Sequence, residues 1–295
     1  MTVSVHPHTP RIAVPCGCEL GEEATWDARS GTLVWVDVEK PTIWRYDPAS
    51  GATQHHPQDE KLGFALLTED PETLLAGFES GIALLHLESG RRRPLITPDA
   101  PRSGNRLNSG YVGPDGALYF GTMDDAEAEP TGTFHRWHGG RLDASGGRVV
   151  VSNGPVVTPD GRRIYTADTT EGLIRVHRVD DDGIGPPRPF AVFESGWGKP
   201  DGLTVDAAGH LWVCHYGGSR ITRYDPDGQI ERVLPVPTAL VTKCAFGGPD
   251  LTTLFITTGT RGRDPRIDPM AGHLFAVETE VAGLPSGIYR DARTL

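Results

Sequence analysis

Four polar residues, Glu22, Asn108, Asn153 and Asp201, each stand ten or eleven positions ahead of an apolar run: Leu33 to Asp37, Leu118 to Thr122, Ile164 to Asp168 and Leu211 to His215, respectively. Taken alone, Asn153-Gly154 and Asp201-Gly202 read as turn dipeptides. The shared spacing is what points to chemistry. Two carboxylates and two amides gathered in an apolar, glycine-rich setting repel one another and stay partly desolvated unless something positive joins them. A divalent cation is the natural partner, and oxygen-only donors favour Ca²⁺, Mg²⁺ or Mn²⁺, with Zn²⁺ or Fe²⁺ where solvent completes the shell. Glu22 is followed by Glu23, and strand alternation sends neighbours to opposite faces, so one of the two is expected to face the others; the spacing selects Glu22.

Groups this far apart in sequence meet only if the fold repeats. Six segments share an apolar strand, a polar turn and a second strand, beginning at Leu33, Leu74, Leu118, Ile164, Leu211 and Leu254, which are 41, 44, 46, 47 and 43 residues apart. Partner strands follow, such as Ile43 to Tyr46, Leu173 to Val176 and His273 to Ala276, and Asp, Pro and Gly fill the bends between them. No stretch sustains a 3.6-residue apolar period, so little helix is expected. Repeats of 40–50 residues with about four strands each indicate a β-propeller. The expectation is therefore an all-β, six-bladed β-propeller forming one domain over 1–295. Its blades should run roughly over 16–58, 59–101, 102–147, 148–194, 195–236 and 237–284, with residues 11–15 pairing with C-terminal strands to close the ring. In such a ring equivalent positions face a common axis. The two remaining slots, Gly63 or Phe64 and Thr242 or Lys243, predict one small or apolar wall and one polar wall.

Composition narrows the partners. The 295 residues carry 28 basic and 39 acidic side chains, a formal charge of −11. That balance argues against nucleic-acid binding, which needs clustered Lys and Arg, and Arg91-Arg92-Arg93 reads as a solvated turn. No segment reaches the ~18 apolar residues of a membrane span, and Met1 to Ile12 lacks the apolar stretch of a secretory signal. Cys16, Cys18, Cys214 and Cys244 form no CxxC pair, so reduced thiols and a cytoplasmic location are expected.

The chain resembles the regucalcin (senescence marker protein)/gluconolactonase family along nearly its whole length. The motifs are Gly21-Glu22 followed by Trp26-Asp27, Asn105-Arg106-Leu107-Asn108 followed by Gly121-Thr122-Met123, Ser152-Asn153-Gly154 followed by Pro159-Asp160, Pro200-Asp201-Gly202 followed by Leu211-Trp212-Val213, and Phe246-Gly247-Gly248-Pro249-Asp250. The resemblance implies that Glu22, Asn153 and Asp201 bind one divalent cation while Arg106 and Asn108 contact the substrate. There are departures: Glu23-Ala24 stand where the family usually has Gly-Pro, Ser109 where it often has Asp, and Ala126 where some members place a substrate-binding Glu.

The reaction so implied is hydrolysis of a sugar-acid (aldono) lactone, a small molecule, to the free acid. The cation would act as Lewis acid and Asp201 as general base, and Arg106 and Asn108 would hold the polyol. A competing reading for Arg106 is that it pairs with a channel carboxylate. Phosphotriester or other ester hydrolysis at the same site, and a non-catalytic calcium-binding propeller, are the alternatives. No nucleophile motif involves any of the eleven His residues; His215 is expected to be a surface or loop residue. Trp197 and Tyr216 stand as candidates for the pocket mouth or for packed aromatics.

Overall fold

The computed structural model describes residues 3–98, 104–145, 147–180 and 183–290, so the blade boundary expected between 101 and 102 lies outside the described residues. Six sheets of four or five strands make up the described structure, with no helix in it. The strands form a six-bladed propeller. Its innermost strands are Gly21–Asp27, Leu62–Leu67, Asn105–Val112, Ser152–Val157, Lys199–Val205 and Val241–Gly247. Each pairs antiparallel with the apolar run that marks its repeat.

Those second strands are buried along most of their length because both of their faces are covered. In Thr32–Asp37 the side chains of Leu33 and Trp35 join Trp26, Phe255 and Leu274 in the seam with blade 6. The intervening Val34 and Val36 join Leu74 and Ala76 in the seam with blade 2. The period-2 alternation of a strand thus supplies two neighbours at once. The six apolar clusters each fill one of the six seams of the ring. Most of the largest fully buried side chains, among them Trp35, Trp212, Tyr119 and Phe120, sit on these second strands.

The ring closes as expected. Arg11–Val14 pairs antiparallel with Leu274–Glu278 as the outer strand of the sixth blade. A shorter strand, Ser4–Val5, adds in parallel to the outer edge of blade 5. At the other end of the chain, bridges from Gly283 to Asp206 and from Tyr289 to Thr68 carry the segment 283–289 beneath the axis, from blade 5 to blade 2. Tyr289 stacks on Trp137 there.

Candidate functional site

All six inner strands lose register at the same level, between Glu22 and Thr25, Leu62 and Phe64, Leu107 and Gly110, Asn153 and Val156, Pro200 and Leu203, and Val241 and Lys243. A bulge bends its strand and re-aims side chains, and such irregularities gather beside active sites. Here they form a ring of their own. It lies near the start of every inner strand and so at one mouth of the axial channel, and Glu22, Asn108, Asn153 and Asp201 are all in or next to it.

The bulges also overturn one expectation. Glu22 and Glu23 were to point to opposite faces, but both are buried toward the axis, because Glu23 takes a left-handed backbone conformation at φ 41° inside the bulge. Its carboxylate reaches across the channel, accepting the Gly110 N–H at 3.1 Å and pairing with Lys243 at 2.8 Å. The polar wall expected at Thr242 or Lys243 is therefore a buried ammonium. The small wall is Gly63, where a Cβ would stand 2.1 Å from the Asn108 carbonyl oxygen; blade 2 approaches blade 3 that closely only with glycine.

Glu22 and Asp201 lie above this pair. Burial and the adjacent Glu23 carboxylate push Glu22 up to about 7, against the pull of Lys243 and Arg106. Asp201 is raised well above the usual carboxylate range by burial and by Glu22, with Lys243 opposing. These are the marks of like charges held together out of water. Asn153 is fixed from both sides: its Nδ2 donates to Thr169 Oγ1 at 2.8 Å, and its Oδ1 accepts from Ser109 Oγ at 3.2 Å. Thr169 donates in turn to the Pro200 carbonyl at 2.8 Å, which links the Asn153 blade to the Asp201 strand. Among the described residues no three His, Cys, Asp or Glu side chains are grouped as a metal cluster. A cation here would need the Asn153 amide oxygen as third donor, and the Thr169 bond leaves that oxygen, not the nitrogen, for the role.

Arg106 is buried but pairs with neither channel carboxylate. Its Nε donates to Asp125 at 2.7 Å and its Nη1 to Asn108 Oδ1 at 2.7 Å, while Asn108 Nδ2 donates to the Ser152 carbonyl at 2.7 Å. Asp125 begins a charged rim that runs to Lys61 at 3.2 Å, Glu39 at 3.2 Å, Arg261 at 3.7 Å and Glu127 at 2.7 Å. Tyr216, half-buried, lies near Asp201 and Arg261. Trp197 packs elsewhere, under the Arg220 guanidinium at 4.6 Å.

Reading the sequence alone misses Ser109 as an orienting donor, and also Thr169 and Asp125, and gives Lys243 only as one of two residues for a polar wall. Asp125 follows the Gly121-Thr122-Met123 motif by two residues, which is a usable signal; Thr169 lies just beyond its strand, Arg163–Asp168, and carries none.

His215 is neither a surface nor a loop residue. It is fully buried on the strand Leu211–Tyr216, with Nε2 2.8 Å from Thr222 Oγ1 and Nδ1 2.8 Å from the Trp197 carbonyl. A neutral ring satisfies both bonds, and burial depresses its pKa to about 3. The unfolded chain binds this proton below about 6.5 and the native one only near 3, so stability is lost as pH falls through that window, at about 1.4 kcal/mol per unit of depression. Melting temperatures of the protein and of His215→Gln between pH 7 and 4 should show the variant losing less on acidification; parallel curves would refute the assignment.

A family profile described as "SMP-30/Gluconolactonase/LRE-like region" matches residues 20–260. The chain is 34% identical to L-arabinolactonase of Azospirillum brasilense over 90% of each sequence. It is 32% identical to 6-deoxy-6-sulfogluconolactonase of Pseudomonas putida, over 92% of this chain and 94% of the relative. The crystal structure of a calcium-binding protein, regucalcin, from Agrobacterium tumefaciens superposes with a TM-score of 0.92 at 27% identity, over 98% of this chain and 100% of that one.

Proposed function

The chain belongs to the SMP-30/gluconolactonase/LRE-like family and is a lactonase, and from that premise we propose that it opens an aldonolactone to the free acid with one divalent cation held by Glu22, Asn153 and Asp201. The observation that carries the reading is the burial of Glu22 beside Asp201 while the nearest ammonium, Lys243, pairs with Glu23 instead. When bound, the cation supplies Lewis-acid polarisation of the lactone carbonyl. The all-oxygen donor set suits Ca²⁺, Mg²⁺ or Mn²⁺ ahead of Zn²⁺ or Fe²⁺.

The side chains divide the remaining work. Asp201 takes a proton from the attacking water through the carboxylate oxygen that a bound cation would leave free. The proton passes to the ring oxygen as the acyl–oxygen bond breaks, so that a hydroxy acid leaves. Arg106 and Asn108, locked to each other and to Asp125 and Ser152, hold the sugar hydroxyls. The whole chain, 1–295, works as one propeller domain. Its four cysteines are unbridged, in keeping with a reducing, cytoplasmic setting.

The test is acid release from gluconolactone, xylonolactone and arabinolactone after chelator treatment and after restoring single divalent ions. Restoring the active ion should raise the rate above background at least ~100-fold, the scale of Lewis-acid assistance. Equal rates with and without metal would overturn the cation's part. A phosphotriester cleaved while every lactone is ignored would overturn the substrate.

A further inference from the structure

The Glu23–Lys243 pair lies inside the channel directly beneath the proposed cation ligands, and no step of the reaction uses it. Both side chains are buried, with exposures of 3% and 5%, and their separation is 2.8 Å. Glu23 is the residue after Glu22, and its own N–H donates to Glu22 Oε2 at 3.2 Å. Lys243 comes from the adjoining blade 6, and its stem crosses Gly202 of blade 5, where a Cβ would meet Lys243 Cδ at 2.5 Å. Beneath the pair is a cavity of about 60 Å³ lined by Tyr111 and Cys244 and capped by Leu284 to Gly287. The bar is therefore tied to blades 1, 3 and 6, and it separates the carboxylate mouth from the closed lower end of the channel.

An isolated buried ion pair contributes little net stability, because desolvation offsets the attraction. Its position is what gives it a use. Glu23 N–H bonds Glu22 directly, and the Lys243 stem lies against Gly202, the residue after Asp201, so the pair stands next to both proposed ligands. With three carboxylates and one ammonium the hub carries a formal charge of −2.

Resting on the cation reading above, we propose that Glu23 and Lys243 are positioning residues that set the affinity of the site for its divalent ion, Lys243 as a tethered counter-ion that weakens binding and Glu23 as the group that holds the ammonium off the ligands and restores the negative field. A unit charge several ångströms from a divalent ion in a protein interior changes its affinity by an order of magnitude or more. The affinities should therefore follow the charge of the hub, irrespective of packing.

Mn²⁺ and Ca²⁺ titrated calorimetrically into chelator-stripped protein test this with three variants. Lys243→Met takes the hub to −3 and should bind at least ~10-fold tighter. Glu23→Gln takes it to −1 and should bind at least ~10-fold weaker. The double variant Glu23→Ala/Lys243→Met returns to −2 and should fall within about threefold of the parent. A purely structural pair predicts weaker binding in all three, in proportion to lost thermal stability, and that result would overturn the proposal. Should Lys243→Met fail to fold, Glu23→Gln and the double variant still decide it. If the parent binds neither ion while Lys243→Met binds, the counter-ion role is supported; if no protein binds, the cation reading and this proposal fall together, whereas binding that ignores the charge order removes this proposal alone.

Discussion

Asp201→Asn should lower kcat/KM for the best aldonolactone by at least ~10³-fold and, at the same time, raise the melting temperature of the chelator-stripped protein. The loss has two sources. The amide cannot accept the proton of water, and general-base assistance is typically worth 10² to 10⁴-fold; it also removes half of the carboxylate charge contributed by Glu22 and Asp201, and with it part of the Lewis-acid contribution. The gain has one source. Asp201 is buried, and its carboxyl is held well above the ordinary range by burial and by Glu22, so the native state carries a repulsion that the uncharged isostere removes. Such opposition between stability and activity is expected where a fold holds a strained functional group. Steady-state kinetics with scanning calorimetry separate this from simple damage. A variant that keeps its activity would dismiss Asp201 as the base, and one that loses activity and stability together would make it a structural residue.

Asp206→Ala should cost about 3–5 kcal/mol, the range for removing one partner of a buried ion pair. For a chain of this size that corresponds to a fall of roughly 10 °C in melting temperature. Asp206 is fully buried and serves as the acceptor on which blade 5 is built. Its Oδ1 takes the backbone N–H groups of Ala208 and His210, each at 3.0 Å, and its Oδ2 takes Trp212 Nε1 at 2.9 Å and Arg223 Nε at 2.8 Å. Alanine leaves four donors unanswered, one of them on a guanidinium only 5% exposed whose remaining partner is Glu231. Trp212 packs edge-on against Phe246, so the disturbance passes into the seam with blade 6. Chemical denaturation of the parent, Asp206→Ala and Asp206→Asn checks this. The Asn variant should recover part of the loss through its retained carbonyl, and a cost below about 1 kcal/mol for Ala would show that the network contributes little.

The ring was legible because a propeller converts a sequence period into an angle: Leu33, Val34, Trp35 and Val36 are all apolar since their strand serves two seams, and six such runs at near-equal spacing have few other uses. That Glu22, Asn153 and Asp201 stand at the same level of their inner strands followed from the same period. What the period could not convey is which way a side chain turns inside a bulge. The alternation rule applied to Glu22-Glu23 assumes an unbroken strand, and the left-handed backbone at Glu23 breaks it. Long-range pairs were equally hidden: nothing in the spacing of Lys61 and Asp125, or of Glu39 and Arg261, says that loops from blades 1, 2, 3 and 6 meet at the rim. The burial of His215 was missed because the residue ends an apolar run, where exposure and enclosure read alike.

The pairing of Arg11–Val14 with Leu274–Glu278 joins in one blade two strands separated by some 260 residues. During synthesis the amino-terminal strand emerges early and has no edge to join until the carboxyl-terminal strand leaves the ribosome. The faces that blades 1 and 6 later share, including Trp26 and Trp35, stay open to solvent and to chaperones until then. Ring closure thus waits on a contact of very high sequence separation. A nascent chain halted before residue 274 should remain sensitive to proteases at a stage when its central blades are already resistant.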